Sequence, residues 1–381
     1  MVLMNSRVFQ LPMDHPSDVS SLERLIACGA VQAIDVCAII GKTEGNGGVN
    51  DFTRGFFTQT LMMMLSRYTG ATREQLLARI PCILSGGTEG VLSPHYVVLC
   101  RNSLPSVSTG DSKSLAIGTG MSEPLPAEDV GREPHVHSVA ALVRKAITDA
   151  RIVSDADVHF VQVKCPCVTT RRAQEARDRG KTLDVTDPNR SMAQSRIAGA
   201  VGVAVALGEL ACDDITEALQ SRAFSKFSTR ASISSGVEVE ANEVIVLGNS
   251  PHWSGNLEIA HRPMRDALDI AAVCLVLGDL GIAAAPQVSM SDIARIKATF
   301  VKCEPDRRGS IRGHRHTMLD DTDINAQRHV RGAVGGLVAG VIGDTRIFVS
   351  GGAELQGPDG GGLMAMIADR RPVGLGDACA S

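Results

Sequence analysis

Aromatic side chains make up only 3% of the 381 residues, and Trp253 is the single tryptophan. A core so poor in large rings has to be assembled from Val, Ile, Leu, Ala and Met in close packing. Also lacking is any apolar run of spanning length. Gly or charge interrupts each run well before the roughly 20 residues of a transmembrane helix, so no membrane span is expected. There is no basic excess either: a net charge of −4 argues against a nucleic-acid partner. Met1 to Met13 lacks the basic, apolar, small-residue order of a signal peptide, and a soluble cytoplasmic protein is expected. In that compartment the ten cysteines, Cys37, Cys82, Cys100 and Cys274 among them, are expected as buried small hydrophobes rather than disulfides.

Several motifs fail on inspection. Gly41-Lys42-Thr43 has the end of a phosphate-binding P-loop, but Val36 stands where that motif needs its first glycine. Cys165-Pro166-Cys167 is spaced too tightly for a zinc knuckle. None of the three serines discussed below sits in a G-x-S-x-G elbow.

What is present is a pentapeptide written three times: Ser85-Gly86-Gly87-Thr88-Glu89, Ser234-Ser235-Gly236-Val237-Glu238 and Ser350-Gly351-Gly352-Ala353-Glu354. Apolar runs flank each copy, which predicts strand, Ser-Gly turn, strand. Upstream of each lies a strand-like run ending in Lys42, Lys164 or Lys302. Between lysine and serine, Arg54, Arg196 and Arg331 each open a helix-like stretch, over 55–66, 197–210 and 332–343. Each unit therefore reads strand, helix, strand-Lys, Arg-helix, strand-Ser-Gly, strand, an α/β pattern repeated three times. Units over 1–104, 114–250 and 256–381 are expected, joined by connectors at 102–113 and 248–256. Residues 121–135 and 168–190 read as surface excursions, the latter mostly a charged, solvated helix. A structural repeat preserves core residues; it has no reason to preserve Lys, Arg and Ser in order.

Those residue types point to Ser-Lys chemistry. Serine becomes a nucleophile when a base takes its proton, and lysine is a base only when uncharged. Reaching a pKa of about 7–8 from about 10.4 costs roughly 4 kcal/mol, which burial and neighbouring cations can supply. Three lysines and three arginines around one axis provide those cations and favour an anionic, oxygen-rich ligand. Glycine N–H groups beside each serine are candidates to polarise a carbonyl. A small ring of near-threefold symmetry fits such a cage.

The chain resembles the cyanuric acid hydrolase and barbiturase family of ring-opening amidohydrolases. The resemblance is carried by Ile40 to Arg54 (IGKTEGNGGVNDFTR), Ser85 to His95 (SGGTEGVLSPH), Ser234 to Glu238, and Gly343 through Gly362, and it runs from near residue 8 to near 370. It implies three similar α/β units around a pseudo-threefold axis, with barrel-like central strands, outer helices and one central site. It implies that Lys42, Arg54, Ser85 and Gly86, then Arg196, Ser234 and Ser235, then Lys302, Arg331, Ser350 and Gly351 contact the ligand. It implies further that Ser234 is the nucleophile and Lys164 its base, a choice among the three pairs that the residues alone leave open. A structural Mg²⁺ or Ca²⁺ is implied near the last motif, on Glu304 and on backbone oxygens of Ala353, Gln356, Gly357, Pro358 and Gly361, with no organic cofactor. A carboxylate with carbonyls suits a hard cation. A homotetramer is also implied. The barbiturase branch lacks the second and third arginines, whereas this chain keeps all three, so cyanuric acid is the expected ring. A barbiturase, or a non-catalytic receptor with a threefold pocket, are the alternatives.

Overall fold

In a computed structural model, residues 2–104, 112–221 and 226–370 are described. The first segment runs β1 (Leu3–Pro12), α1 (Ser20–Ala27), β2 (Val36–Thr43), α2 (Thr53–Thr69), α3 (Arg73–Leu77), β3 (Cys82–Gly86) and β4 (His95–Leu104). The second runs β5 (Ser114–Pro124), α4 (Glu133–Asp149), β6 (Val158–Pro166), α5 (Thr170–Asp178), α6 (Pro188–Ala206), α7 (Ile215–Ser221), β7 (Ala231–Gly236) and β8 (Ala241–Ser250), followed by the short β9 (Trp253–Ser254). The third runs β10 (Leu257–Met264), α8 (Ile270–Asp279), α9 (Met290–Ile293), β11 (Ile296–Cys303), the hairpin β12 (Ser310–Ile311) and β13 (His314–Arg315), α10 (Ala326–Ile342), β14 (Phe348–Ser350) and β15 (Gly362–Asp369). The chain is thus mixed α/β.

Three sheets share one strand order: β3-β2-β4-β1, β7-β6-β8-β5 and β14-β11-β15-β10, with β9 added to the first. In each, the serine strand lies parallel to the lysine strand, and the register sets lysine against serine: Lys42 opposite Ser85, Lys164 opposite Ser234, Lys302 opposite Ser350. Each lysine strand also carries a register shift near its start, between Val36 and Ala38, Val158 and Phe160, and Ile296 and Ala298. Such a bulge flips the alternation and fixes which face the later residues present. Among the described residues the sheets remain separate and do not close into one hydrogen-bonded barrel, contrary to the barrel-like centre expected. They meet through side chains: Ile40, Ile117, Phe160 and Phe300 belong to one buried cluster, with the last two rings stacked 4.8 Å apart. Two further clusters lie between the first and third sheets and their own helices.

Several expectations need correcting. Arg54 does open α2, but Arg196 and Arg331 lie well inside α6 and α10. Those helices start earlier because Asp187 and Asn325 cap them, accepting from the backbone N–H of Arg190 and Gln327, and Pro188 suits a first turn. The 168–190 excursion is helical over α5 and again from Pro188, where α6 begins, and Arg172 within it is buried, donating to the carbonyls of Cys167 and Leu125. The 121–135 excursion starts inside β5, and its Leu125, Ala127 and Val130 form a small core with Val168, Ala173 and Ala176. The 248–256 connector is ordered: β9 pairs in parallel with β1, and buried Trp253 donates its indole N–H to the Ala150 carbonyl at 2.6 Å. The 102–113 connector falls largely on 105–111, outside the described residues, as do 371–381 at the end of the third expected unit. Cys37 and Cys100 are buried and Cys82 half-buried, but Cys274 is exposed on α8; all described cysteines are free thiols. No helix among the described residues is long and apolar enough to cross a membrane.

Candidate active site

The ladder that pairs each lysine with its serine also buries it. Lys42, Lys164 and Lys302 are 0%, 1% and 0% exposed. Lys42 Nζ donates to Ser85 Oγ at 3.3 Å and to the Gly86 carbonyl at 3.1 Å. Lys302 Nζ donates to Ser350 Oγ at 3.0 Å and to the Gly351 carbonyl at 2.9 Å. Lys164 is arranged differently: its ammonium meets Glu238 Oε1 at 2.5 Å and the Leu84 carbonyl of the first segment at 3.2 Å. Burial, with the Arg331 charge behind it, holds Lys42 well below the ordinary lysine value. Burial and then Arg196 bring Lys302 down to about 7. Burial lowers Lys164 too, but Glu238 works against it.

The arginines form a cycle. Arg54 holds Glu238 of the second segment through Nε (2.7 Å) and Nη2 (3.2 Å). Arg196 holds Glu354 of the third through Nε (2.9 Å) and Nη2 (2.6 Å). Arg331 closes the ring on Glu89 of the first through Nε (2.8 Å) and Nη2 (2.5 Å). Each is a side-on, two-bond guanidinium–carboxylate pair, the geometry that fixes a guanidinium plane. Although burial pushes Glu238 and Glu354 upward, their cations win and hold both at about 2. Glu89, Glu238 and Glu354 were given no role by the sequence reading, yet the signal was in plain view as the fifth letter of the repeated pentapeptide.

A cavity of about 360 Å³ lies where these groups converge, lined by Arg54, Arg196 and Arg331, by Ser85, Ser234 and Ser350, and by Gly86, Ser235, Gly351 and Lys164. Lys42 and Lys302 sit behind their serines. The Ser85 and Ser350 hydroxyls approach each other to 3.4 Å, although 265 residues separate them in sequence. The buried hydroxyls of Ser234 and Ser235 have no hydrogen-bond partner. Asn46, Asn189 and Asn325, one from each segment, also line the cavity; the sequence reading missed them because their spacing to the arginines varies. Two of the expected carbonyl-polarising amides are already engaged: Gly87 N–H donates to the Thr43 carbonyl and Gly352 N–H to Gln327 Oε1, both at 2.8 Å.

Glu304, just past β11, is 3% exposed, and its backbone N–H donates to the Gly361 carbonyl at 3.3 Å. That contact brings it against the turn over 353–361, where Gly357 (φ 111°) and Gly360 (φ 77°) take backbone angles that favour glycine. The turn is tied further by Gln356, whose side chain accepts from Ile233 N–H at 2.6 Å and donates to the Gly352 carbonyl at 3.0 Å. Burial and then the nearby Glu354 push the Glu304 carboxyl up to about 7, although Arg307 reaches it at 3.0 Å. A buried carboxylate beside a carbonyl-rich turn is a donor set that fits a hard cation.

Buried cations, paired carboxylates and hydroxyls about one small cavity are the equipment of an acyl-transfer hydrolase. Residues 7–369 match the model of the family described as amidohydrolase ring-opening proteins, and the chain belongs to that family. It is 46% identical to a cyanuric acid amidohydrolase of Azorhizobium caulinodans, over 96% of this chain and 98% of that one. To the enzyme of that name from Enterobacter cloacae it is 42% identical, over 96% of this chain and 99% of the other. A solved structure of a cyanuric acid hydrolase superposes with a TM-score of 0.91 at 41% identity, covering 96% of this chain and 100% of its own.

Proposed function

We propose that this protein is a hydrolase that opens the cyanuric acid ring to carboxybiuret, which then loses CO₂ to give biuret. The observation that carries the reading is the cycle itself: three Lys-Ser pairs and three glutamate-held arginines surround one cavity sized for a small ring. Near-full-length identity to enzymes named for that substrate supports it. In the proposed mechanism neutral Lys164 takes the Ser234 proton as Oγ attacks a ring carbonyl carbon. The carbonyl electron pair moves to oxygen and returns as the ring C–N bond breaks, the departing ring nitrogen taking the proton from Lys164; water, its proton passing to the freed lysine and on to Ser234 Oγ, then releases the acyl-enzyme. Ser234 is favoured over Ser85 and Ser350 because its hydroxyl is the unpartnered one, and because the family resemblance assigns it. Lys42, Lys302, Ser85 and Ser350, with Gly86, Ser235 and Gly351, hold the other edges of the ring, and Arg54, Arg196 and Arg331 face its oxygens.

The three sheets of equal order are read as units over 1–104, 114–250 and 256–381 around a pseudo-threefold axis. Glu304, with carbonyls of Ala353, Gln356, Gly357, Pro358 and Gly361, would hold a Mg²⁺ or Ca²⁺ ion. Such an ion would supply charge to brace the turn that carries Gly351 and Gly352. No organic cofactor is needed; a cytoplasmic homotetramer completes the reading. Barbituric acid, with a CH₂ in place of one ring N–H, breaks the match to three equivalent edges and is expected as a poor substrate. Turnover of both rings by purified protein tests this. Faster opening of barbituric acid would move the protein to the barbiturase branch, and binding without turnover of either would leave a receptor.

A further inference from the structure

The cycle of glutamates is unequal at one place. Glu89 binds Arg331 and Arg328, and Glu354 binds Arg196, but Glu238 binds Arg54 and also Lys164. Among the described residues neither Lys42 nor Lys302 forms an ion pair; their ammonium groups face serine hydroxyls and backbone carbonyls. We propose that Glu238 is a positioning residue that ties Lys164 to Arg54 of the neighbouring segment and stabilises the ammonium formed when Lys164 takes the Ser234 proton. The proposal rests on the reading of Lys164 as the base. In that step the Ser234 Oγ–H bond breaks, an Nζ–H bond forms on Lys164, and Oγ bonds to the ring carbon; Glu238 exchanges no proton. An adjacent carboxylate favours the charged lysine, so it works as a counter-charge for the product of proton transfer and against the free base before it.

The other groups facing Lys164 are Arg54 from α2, Glu243 from β8, and the thiols of Cys82, Cys165 and Cys167. The thiols are pushed up to about 11–12 by burial and stay neutral. Glu243, which accepts from the Cys82 backbone at 3.2 Å, is raised to about 7 and must be controlled for.

The test is the pH profile of kcat/KM for cyanuric acid in the full chain, comparing wild type with Glu238→Gln, Glu89→Gln and Glu243→Gln. Ionisation of the substrate is common to all four. Without its carboxylate partner, Lys164 becomes neutral at lower pH, so the acid limb of Glu238→Gln moves down by about one pH unit or more. The limb of Glu89→Gln stays in place while its KM rises, because Glu89 orients Arg331 and touches no lysine. A limb that moves equally in both, or moves only in Glu243→Gln, overturns the proposal. If Glu238→Gln fails to fold, Glu238→Asp withdraws the carboxylate by one methylene and moves the limb the same way by less; an unmoved limb overturns the proposal there too. Lys164→Ala separates the two readings. Full turnover in that variant removes the base and the proposal together, whereas lost turnover beside an unmoved Glu238→Gln limb removes only the role of Glu238.

Discussion

The Lys42–Ser85 and Lys302–Ser350 pairs differ from Lys164–Ser234 although all three share one strand register. In the first two, lysine and serine are hydrogen-bonded to each other, which spends the hydroxyl on the ammonium and holds both still. In the third, lysine turns to a carboxylate and leaves the serine oxygen without a partner beside the cavity. Of the three serine hydroxyls at the cavity, this one is left free to meet a ligand. On the proposed reading, two pairs hold the symmetric ring and the third attacks it.

Substituting the pairs themselves is the sharpest way to break that comparison. Ser234→Ala and Lys164→Ala are each expected to lower kcat by about three orders of magnitude or more, with the double variant little worse than either. Steady-state rates of cyanuric acid opening check this. Retained activity in Ser234→Ala would transfer the nucleophile to Ser85 or Ser350. Next in size come the arginines. Removing Arg54, Arg196 or Arg331 takes a charged donor from a ring oxygen, worth roughly 1.5–3 kcal/mol or about 10–150-fold in turnover.

The same three variants rank differently in stability, because their glutamates are not equally provided for. Glu238 keeps Lys164 at 2.5 Å and Glu89 keeps Arg328 at 3.3 Å, whereas the Glu354 carboxylate has only Arg196 as an ion-pair partner among the described residues. Arg196→Ala, which strands a half-buried carboxylate, is therefore expected to lose most, up to about 3 kcal/mol in urea unfolding. Equal losses in all three would show that the pairs are interchangeable. The smallest effect on chemistry is expected from the ion proposed at Glu304. Chelation is expected to lower Tm while kcat, measured well below Tm, stays near wild type; an unchanged Tm and no metal by elemental analysis would discard the site at Glu304.

The sequence by itself determined the strands and their lysines and serines. Each lysine strand and each serine strand is a short apolar run bounded by Gly or polar residues, a local signal that needs no long-range knowledge. It also pointed to a pattern written three times, since three polar types recur in one order, and three sheets of one strand order carry them. It misread two helix starts: Arg196 and Arg331 sit inside helices because the caps at Asp187 and Asn325 lie upstream of the apolar stretch. Only the tertiary structure decided that the arginines reach into the next segment, across 184, 158 and 242 residues, and that Glu238 alone also takes a lysine. The reason is physical. Periodicity reports a residue's own element, whereas the strength of a charge pair depends on which elements meet and how far water is excluded between them. Both are set when the segments pack, and neither is written in spacing along the chain.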